Sequence, residues 1–468
     1  MKRILVILSI LMVISSISCA QKGYRIEVQI EGITDTTLLL GYHLGEKKFV
    51  ADTAKINNKG IAVFEGDSLL KGGMYIVIIP NKSYFDILVS SNQHFKVNTT
   101  IDNQIDNLEF TNSPENSAFA KYQKFMGEKQ KAMTDLRNEM QGVAQKSDEE
   151  KKFMDRMNEL DKQVKTYWDQ VIDENKGTFL ASIIKSLKPI EIPEFKIPEN
   201  TANADSLKWV LSYQYNQKHY LDNIDLADDR LMRTPFFQSR LDFYFDKVLL
   251  PIPDSINYYA DLVIEKTQSN KMMFQYITSH LLTKYQASNI MGMDAVFVHI
   301  AEKYYLSGRA NWLSNDIIEK IKNRVNELKP NLVGSIAPNV TMAGLDNKTH
   351  SLHAIKAKAT IVYFWEPGCS HCKKITPILL EKYNQYKDKG LAVFAVYTQG
   401  DMPKWKEYVE TNKLTWLNVW DPYRNTDYHK LYDIYSTPVI FILDANKKII
   451  AKRIGIESLD SILDPLLK

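Results

Sequence analysis

The sequence predicts a multidomain chain of mixed α+β and α/β class, with an all-β domain first, a helical domain in the middle and an α/β domain last. Three observations carry this. Residues 21–111 place short apolar–polar alternations between Gly- and Asn-containing turns. Residues 112–330 repeat apolar residues at steps of three and four. From residue 334 to 468, apolar runs of strand length alternate with helical stretches. At 468 residues the chain exceeds what one core supports. Its 44% hydrophobic and 25% charged residues are ordinary for a folded, water-soluble protein.

Residues 1–20 read as a secretory signal. Lys2 and Arg3 form the charged start, and Ile4 to Ile14 is an apolar run, well short of the ~20 residues a membrane-spanning helix needs. Two cleavage readings stand open. Ser18-Cys19-Ala20 before Gln21 fits the small-x-small rule of soluble export. Ser18-Cys19 also resembles a bacterial lipobox, which would lipidate Cys19, although Ser16 stands where a lipobox carries Leu, Val or Ile. Either way the expected location is the cell envelope or periplasm, with the membrane reached only through a lipid anchor. The formal charge is +3, and loss of Lys2 and Arg3 leaves about +1. With no Arg/Lys-rich tract, a nucleic-acid partner is not expected.

In the first domain, Tyr24, Ile26, Val28 and Ile30 share one strand face, and Arg25, Glu27 and Gln29 the other. Further strands are expected at Thr37–His43, Lys48–Ala54, Ile61–Glu65, Met74–Pro80, Tyr84–Ser90, Phe95–Thr100 and Leu108–Thr111. Asn57-Asn58-Lys59-Gly60, Lys71-Gly72-Gly73 and Asn81-Lys82-Ser83 supply turns. This spacing suggests a small sandwich or open barrel.

Ser113-Pro114-Glu115 opens the helical domain with a cap residue, a proline and an acid near the positive dipole end. Ser147-Asp148-Glu149-Glu150 is a capping box. Behind it Phe153, Met157, Leu160, Val164, Trp168 and Val171 form one apolar face that Gly177 ends. A Pro- and Glu-rich loop over Lys188–Asn203 precedes helices expected near Ser206–Leu221, Phe236–Val248, Ser255–Gln268, Lys271–Tyr285, Met293–Tyr305 and Asn315–Leu328. Pro330 ends this region.

The last domain opens with a hairpin around Asp346-Asn347-Lys348. Thr360–Trp365 is an apolar run bounded by polar residues, the mark of a buried parallel strand. A helix follows to about Tyr386, then the strand Leu391–Thr398. Asp401 caps a helix to Thr411, and Trp416–Trp420 is a short strand. Asp421-Pro422 should start another helix. Val439–Leu443 and Lys448–Ile454 flank the turn Asp444-Ala445-Asn446, and residues 457–467 close as a helix. This order of elements is that of a thioredoxin fold.

The chain has three cysteines. Cys19 is either cleaved off or acylated, so Cys369 and Cys372 remain as an isolated Cys-Ser-His-Cys pair. An exported chain that keeps one such pair is not using cysteine as a staple framework. The strand-to-helix turn places Cys369 at a helix N-terminus, where unpaired amides and the dipole favour thiolate. His371 can add a positive charge or a hydrogen bond. Cys372 lies one turn in, within reach of a mixed disulfide at Cys369. Cys369 is therefore the expected nucleophile and Cys372 the resolving thiol, closing a Cys369–Cys372 redox disulfide. Thr437-Pro438 is expected to be a cis peptide beside the pair, with the Thr437 backbone turned toward substrate. Trp365 and Thr437 are the residues expected to touch that substrate.

Other chemistries fit less well. Tetrahedral zinc needs four ligands, and Cys369, His371 and Cys372 offer three at most. A one-cysteine peroxidase needs a Pro and a Thr ahead of its cysteine, where this loop reads Glu366-Pro367-Gly368. No metal and no organic cofactor is expected.

Gly334-x-x-Ala337-Pro338, Tyr363-Phe364-Trp365, Cys369-x-x-Cys372-Lys373, Pro377 and Thr437-Pro438 together resemble the TlpA/ResA-type thioredoxin-like proteins, close to the AhpC/TSA superfamily. The resemblance covers residues 334–468. The wider layout is similar to exported Bacteroidetes proteins in which a β domain and a helical domain precede the thioredoxin-like one. The resemblance implies an exported thiol–disulfide oxidoreductase acting on protein dithiols and disulfides, with a redox partner in the envelope. Two departures stand out. Thioredoxins usually carry a buried acid on the strand six residues before the first cysteine, and here that residue is Tyr363. Some TlpA/ResA-type proteins carry a glutamate six residues after it, and here that residue is Ile375. Glu366 is the nearest acid, expected to be exposed on the turn. The missing acid and His371 lead to the expectation of a couple more oxidising than the ~−270 mV of thioredoxin. The alternative function is an envelope peptide- or glycan-binding protein, with residues before 330 as the platform and the thioredoxin-like domain as an accessory.

Overall fold

A computed structural model describes residues 23–79, 83–143, 145–198, 201–421, 423 and 425–468. The signal segment with Cys19 lies outside the described residues, as do Pro80 and Pro422. Contacts divide the chain into two units, Met1–Tyr244 and Phe245–Lys468. No helix among the described residues is long and apolar enough to cross a membrane.

Among the described residues the first unit begins with the strands β1 (Tyr24–Glu31), β2 (Thr37–Leu44), β3 (Lys47–Lys55), β4 (Ile61–Gly66), β5 (Gly73–Ile79), β6 (Ser83–Val89), β7 (His94–Thr100) and β8 (Glu109–Thr111). They form two four-stranded sheets, ordered β4-β1-β7-β8 and β3-β2-β5-β6. The alternation of β1 is realised: Ile26, Val28 and Ile30 are fully buried and meet Leu38, Leu40, Val77, Phe85 and Ile87 of the other sheet in one core. The Asn57 side chain accepts from the amides of Lys59 and Ile61, and Gly60 takes a positive φ of 75°, which closes the turn. Gly73 is needed for close approach, because a Cβ there would lie 2.5 Å from Cβ of buried Arg233.

Among the described residues the α-helices that follow in this unit are α1 (Pro114–Glu139), α2 (Asp148–Glu174), α3 (Phe179–Leu187), α4 (Ala204–His219) and α5 (Phe237–Phe243). Ser147 caps α2 by accepting from the Glu150 amide at 3.1 Å. Ser113 does not cap α1; its hydroxyl accepts from Asn116 instead. Glu115 also serves elsewhere: it accepts from the Phe179 and Leu180 amides at the start of α3. That helix was not expected from the sequence. The helix expected over 236–248 is α5 followed by a π-helical segment, Tyr244–Val248.

The second unit carries α6 (Pro253–Glu265), α7 (Lys271–Gln286), α8 (Asp294–Ile300) and α9 (Asn315–Leu328), then β9 (Thr341–Gly344), β10 (Thr349–Ser351), β11 (Ala359–Trp365), α10 (Ser370–Tyr386), β12 (Leu391–Tyr397), α11 (Met402–Thr411), β13 (Leu417–Trp420), α12 (Tyr428–Leu431), β14 (Val439–Asp444), β15 (Ile449–Lys452) and α13 (Leu459–Leu467). The seven strands are ordered β10-β9-β13-β12-β11-β14-β15. β11 pairs parallel to β12 and antiparallel to β14. This is the thioredoxin fold. All seven residues of β11 are buried. Ile361, Tyr363 and Trp365 face a core shared with α10, α11 and α13. Val362 and Phe364 face another core with Tyr428 and Tyr432. A strand covered on both faces has to be apolar throughout, as its sequence is.

The helix expected to start at Asp421 does not form there. The Asp421 carboxylate accepts from the Asn425 and Thr426 amides and the Thr426 hydroxyl, which holds a loop, and only the one-turn α12 follows.

Helical residues of this unit are tied to the thioredoxin fold through charged groups. Asp433 is 2% exposed and accepts both guanidinium branches of Arg324 on α9, and also Arg453 Nη2 at 2.6 Å. Lys452 donates to Asp294 on α8 and to Asn331 Oδ1 at 2.8 Å. Asp433→Ala should cost about 2–3 kcal/mol, since it strips the counter-charge from two part-exposed arginines. Chemical denaturation followed by the fluorescence of the second unit would measure it; a loss under about 0.5 kcal/mol would show that the cluster does not hold the fold.

Candidate active site

The end of β11 and the start of α10 place the two cysteines. Pro367 is buried and Gly368 exposed, and the chain turns so that Cys369 becomes the cap residue of α10. Its sulfur accepts from the Cys372 amide at 3.4 Å. It also lies 3.3 Å from the carbonyl oxygen of Thr437, to which the thiol donates. Cys369 is half-buried and Cys372 is 1% exposed; both are free thiols here.

The two sulfurs differ in environment although one helical turn separates them. Burial raises the Cys369 pKa, but the backbone amides of Cys372 and His371 and hydrogen bonds from Cys372 and Thr437 outweigh it, so the net shift is below the ordinary 9.0. For Cys372 burial wins, and its thiol is pushed up to about 11.

The other expected site residues fall as follows. Thr437-Pro438 is a cis peptide, and Pro438 lies beside the pair next to the Thr437 carbonyl that faces Cys369. The His371 side chain is exposed, and it is this residue's backbone that reaches the Cys369 sulfur. Glu366 is not free on the turn; it is half-buried and accepts from the Thr437 hydroxyl at 3.1 Å. Trp365, expected to touch substrate, is fully buried. Its ring lies parallel to that of Tyr363 at 6.1 Å and against Tyr408 at 5.4 Å. It is a floor beneath the site, because the inward face of β11 is covered by α10 and α11. Among the described residues there is no group of three or more His, Cys, Asp or Glu side chains placed to hold a metal.

Two residues near the pair were not singled out in the sequence. Thr376 lies one turn beyond Cys372 on α10 and shares a hydrogen bond of 3.0 Å with the Tyr363 hydroxyl. Tyr408, on α11, packs against Trp365 at the edge of the same core. The i, i+4 spacing of Cys372 and Thr376 was a usable signal; the approach of Tyr408 from a third element was not.

Residues 333–452 match the AhpC/TSA family. The C-terminal domain belongs to the AhpC/TSA family. Upstream, residues 143–331 and 24–119 match two families described as domains of unknown function, DUF5106 and DUF4369. Over 123 residues the chain is 28% identical to the thiol-disulfide oxidoreductase ResA of Bacillus cereus, covering 26% of this chain and 70% of the relative. Among solved structures, a domain of a possible thiol-disulfide isomerase from Cytophaga hutchinsonii is 40% identical, covering 29% of this chain and 92% of that one, with a TM-score of 0.28. The thioredoxin domain of a thiol-disulfide oxidoreductase from Bacteroides vulgatus is 34% identical, covering 29% and 98%, with a TM-score of 0.28.

Within this AhpC/TSA domain, Tyr363 is fully buried against Cys372 and Ile375 packs on the edge of the same core. Iodoacetamide should therefore alkylate Cys369 alone at about pH 7, with a rate that titrates below the ordinary 9.0. Cys372 should react only as the pH nears about 11. Peptide mapping of the labelled chain checks this, and equal labelling of both cysteines near neutrality would contradict it.

Proposed function

We propose that this thiol–disulfide oxidoreductase works through Cys369 and Cys372 on protein disulfides outside the cytoplasm. The observation that carries the reading is the pairing of a half-exposed, thiolate-favouring Cys369 with a buried, protonated Cys372 one turn away. The Cys369 thiolate attacks a substrate disulfide, forming a mixed disulfide and releasing one substrate thiolate. Cys372 then attacks the Cys369 sulfur, which closes the Cys369–Cys372 disulfide and releases the second substrate sulfur. Two electrons pass from the pair to the substrate, and the reverse sequence oxidises a substrate dithiol. The Thr437 backbone, whose carbonyl faces Cys369, offers an edge against which an extended substrate segment pairs. The signal-like residues 1–20 and the single Cys-x-x-Cys pair support action in the envelope. A redox partner there resets the pair.

The substitution Cys372→Ser should trap mixed disulfides between Cys369 and envelope proteins, visible as species that collapse on reduction. An empty trap together with no insulin reduction by the wild-type chain would sink the reading. Equilibration with glutathione or dithiothreitol should place the couple above the ~−270 mV of thioredoxin, because the amides at Cys369 favour the reduced, ionised form. A potential at or below that value would refute this part.

A further inference from the structure

Cys372 has to lose a proton before it can attack, and the two positions where relatives carry an acid hold Tyr363 and Ile375. The groups packed around its sulfur come from several elements. The turn before α10 brings the Glu366 backbone, α10 brings Cys369, and the segment before β14 brings Thr437. β11 brings the Tyr363 side chain, which is buried in the same core as Cys372 with its hydroxyl bonded to Thr376, one turn along α10 from that sulfur. α11 brings Tyr408, whose phenol feels the charge of Cys372. The Glu366 carboxylate is engaged by the Thr437 hydroxyl.

Tyr363 and Thr376 are buried at 0% and 1% exposure, so their hydroxyls have no solvent to turn to. Each finds the other at 3.0 Å. Half-buried Tyr408 lies at the edge of the same core, toward the surface. Cys372, Tyr363, Thr376 and Tyr408 thus sit together in and at the edge of one core, each able both to donate and to accept, with the Tyr363–Thr376 hydrogen bond at the centre.

We propose that the Tyr363 hydroxyl, held in place by Thr376, is the proton relay of Cys372 in the resolving step. The proposal rests on the reading of Cys369 and Cys372 as the redox pair. In that step the bond between the two cysteine sulfurs forms and the bond from Cys369 to the substrate sulfur breaks. The electron pair of the broken bond leaves with the substrate sulfur. The Cys372 proton passes to the Tyr363 oxygen as that hydroxyl hands its own proton to Thr376, and the Thr376 hydroxyl releases its own past half-buried Tyr408 to solvent. An equivalent proton is taken up by the departing thiolate from solvent. Nothing is oxidised or reduced beyond the pair and its substrate. Tyr363 is held well above the usual phenol range, chiefly by burial, so it does not store charge. It passes protons and donates a hydrogen bond to the forming thiolate. A carboxylate would instead accept the proton and keep it.

Reduced full-length protein mixed with 5,5′-dithiobis(2-nitrobenzoate) should release thionitrobenzoate in two equal phases, the first from attack by Cys369 and the second from attack by Cys372. Tyr363→Phe should leave the first phase unchanged and slow the second roughly tenfold or more, the worth of one hydrogen bond to a charged sulfur. Thr376→Val, which breaks the Tyr363–Thr376 hydrogen bond from its other side, should slow the second phase less, and it carries the test if the tyrosine variant does not fold. In the wild type the second phase should climb about tenfold per pH unit between about pH 6 and about pH 9, without a plateau, because the buried Cys372 thiol itself ionises only near about 11. An unchanged second phase in both variants overturns the relay. So does equal slowing of both phases, or a plateau marking a carboxylate base. A wild-type protein that releases only one equivalent overturns the dithiol reading itself, and that failure is distinguishable from all the others.

Discussion

A single helical turn separates a sulfur in a field of backbone amides from a sulfur in an apolar core, and the site depends on keeping them apart. Cys369 caps α10 and gains what unpaired amides offer. Cys372 points back under the helix, where desolvation disfavours its charge. The contrast holds only if β11 ends where it does. That strand is fixed by burial on both faces, with aromatic side chains each worth about 3 kcal/mol of transfer from water. The Trp365 carbonyl is then tied to the Thr398 amide at 3.1 Å. Sheet, turn and helix start are therefore one mechanical piece.

Much of the fold was legible because burial leaves a period in the sequence. β1 shows it, with Ile26, Val28 and Ile30 alternating against polar partners. That period is lost where an element is too short to show it or where a polar side chain has a second use. The nine residues of α3 make only about two and a half turns, too few for the polar stripe of Ser182, Lys185 and Ser186 to stand out as a period. Asp421 has the chemistry of a helix cap and spends it on loop amides. The π-helical turns at Tyr244–Val248 and Ala301–Leu306 add a residue to a helix without altering its composition.

In the site, the cysteines and Thr437-Pro438 were readable because spacing alone puts them on a helix start and before a buried strand. Trp365 was misassigned to substrate because an aromatic residue at a strand end can be floor or surface, and only the packing of α10 and α11 decides which. Tyr363 was visible as a missing acid. What takes the acid's place was not, since Thr376 and Tyr408 join it from two other elements. Asp433 was likewise invisible, since its worth lies in arginines at 324 and 453.

That buried aspartate bears on how the chain can be inherited. The family match begins at residue 333, yet Arg324 and Asn331 lie upstream of that line while gripping Asp433, Lys452 and the Leu431 carbonyl beyond it. Asp433 stands four residues before Thr437, so the segment that faces the nucleophile is anchored by a helix outside the catalytic domain. The thioredoxin domain is not a portable module in this chain. Swapping it into another protein, or recombining the chain at its sequence boundary, would leave a buried charge behind on the piece that does the chemistry.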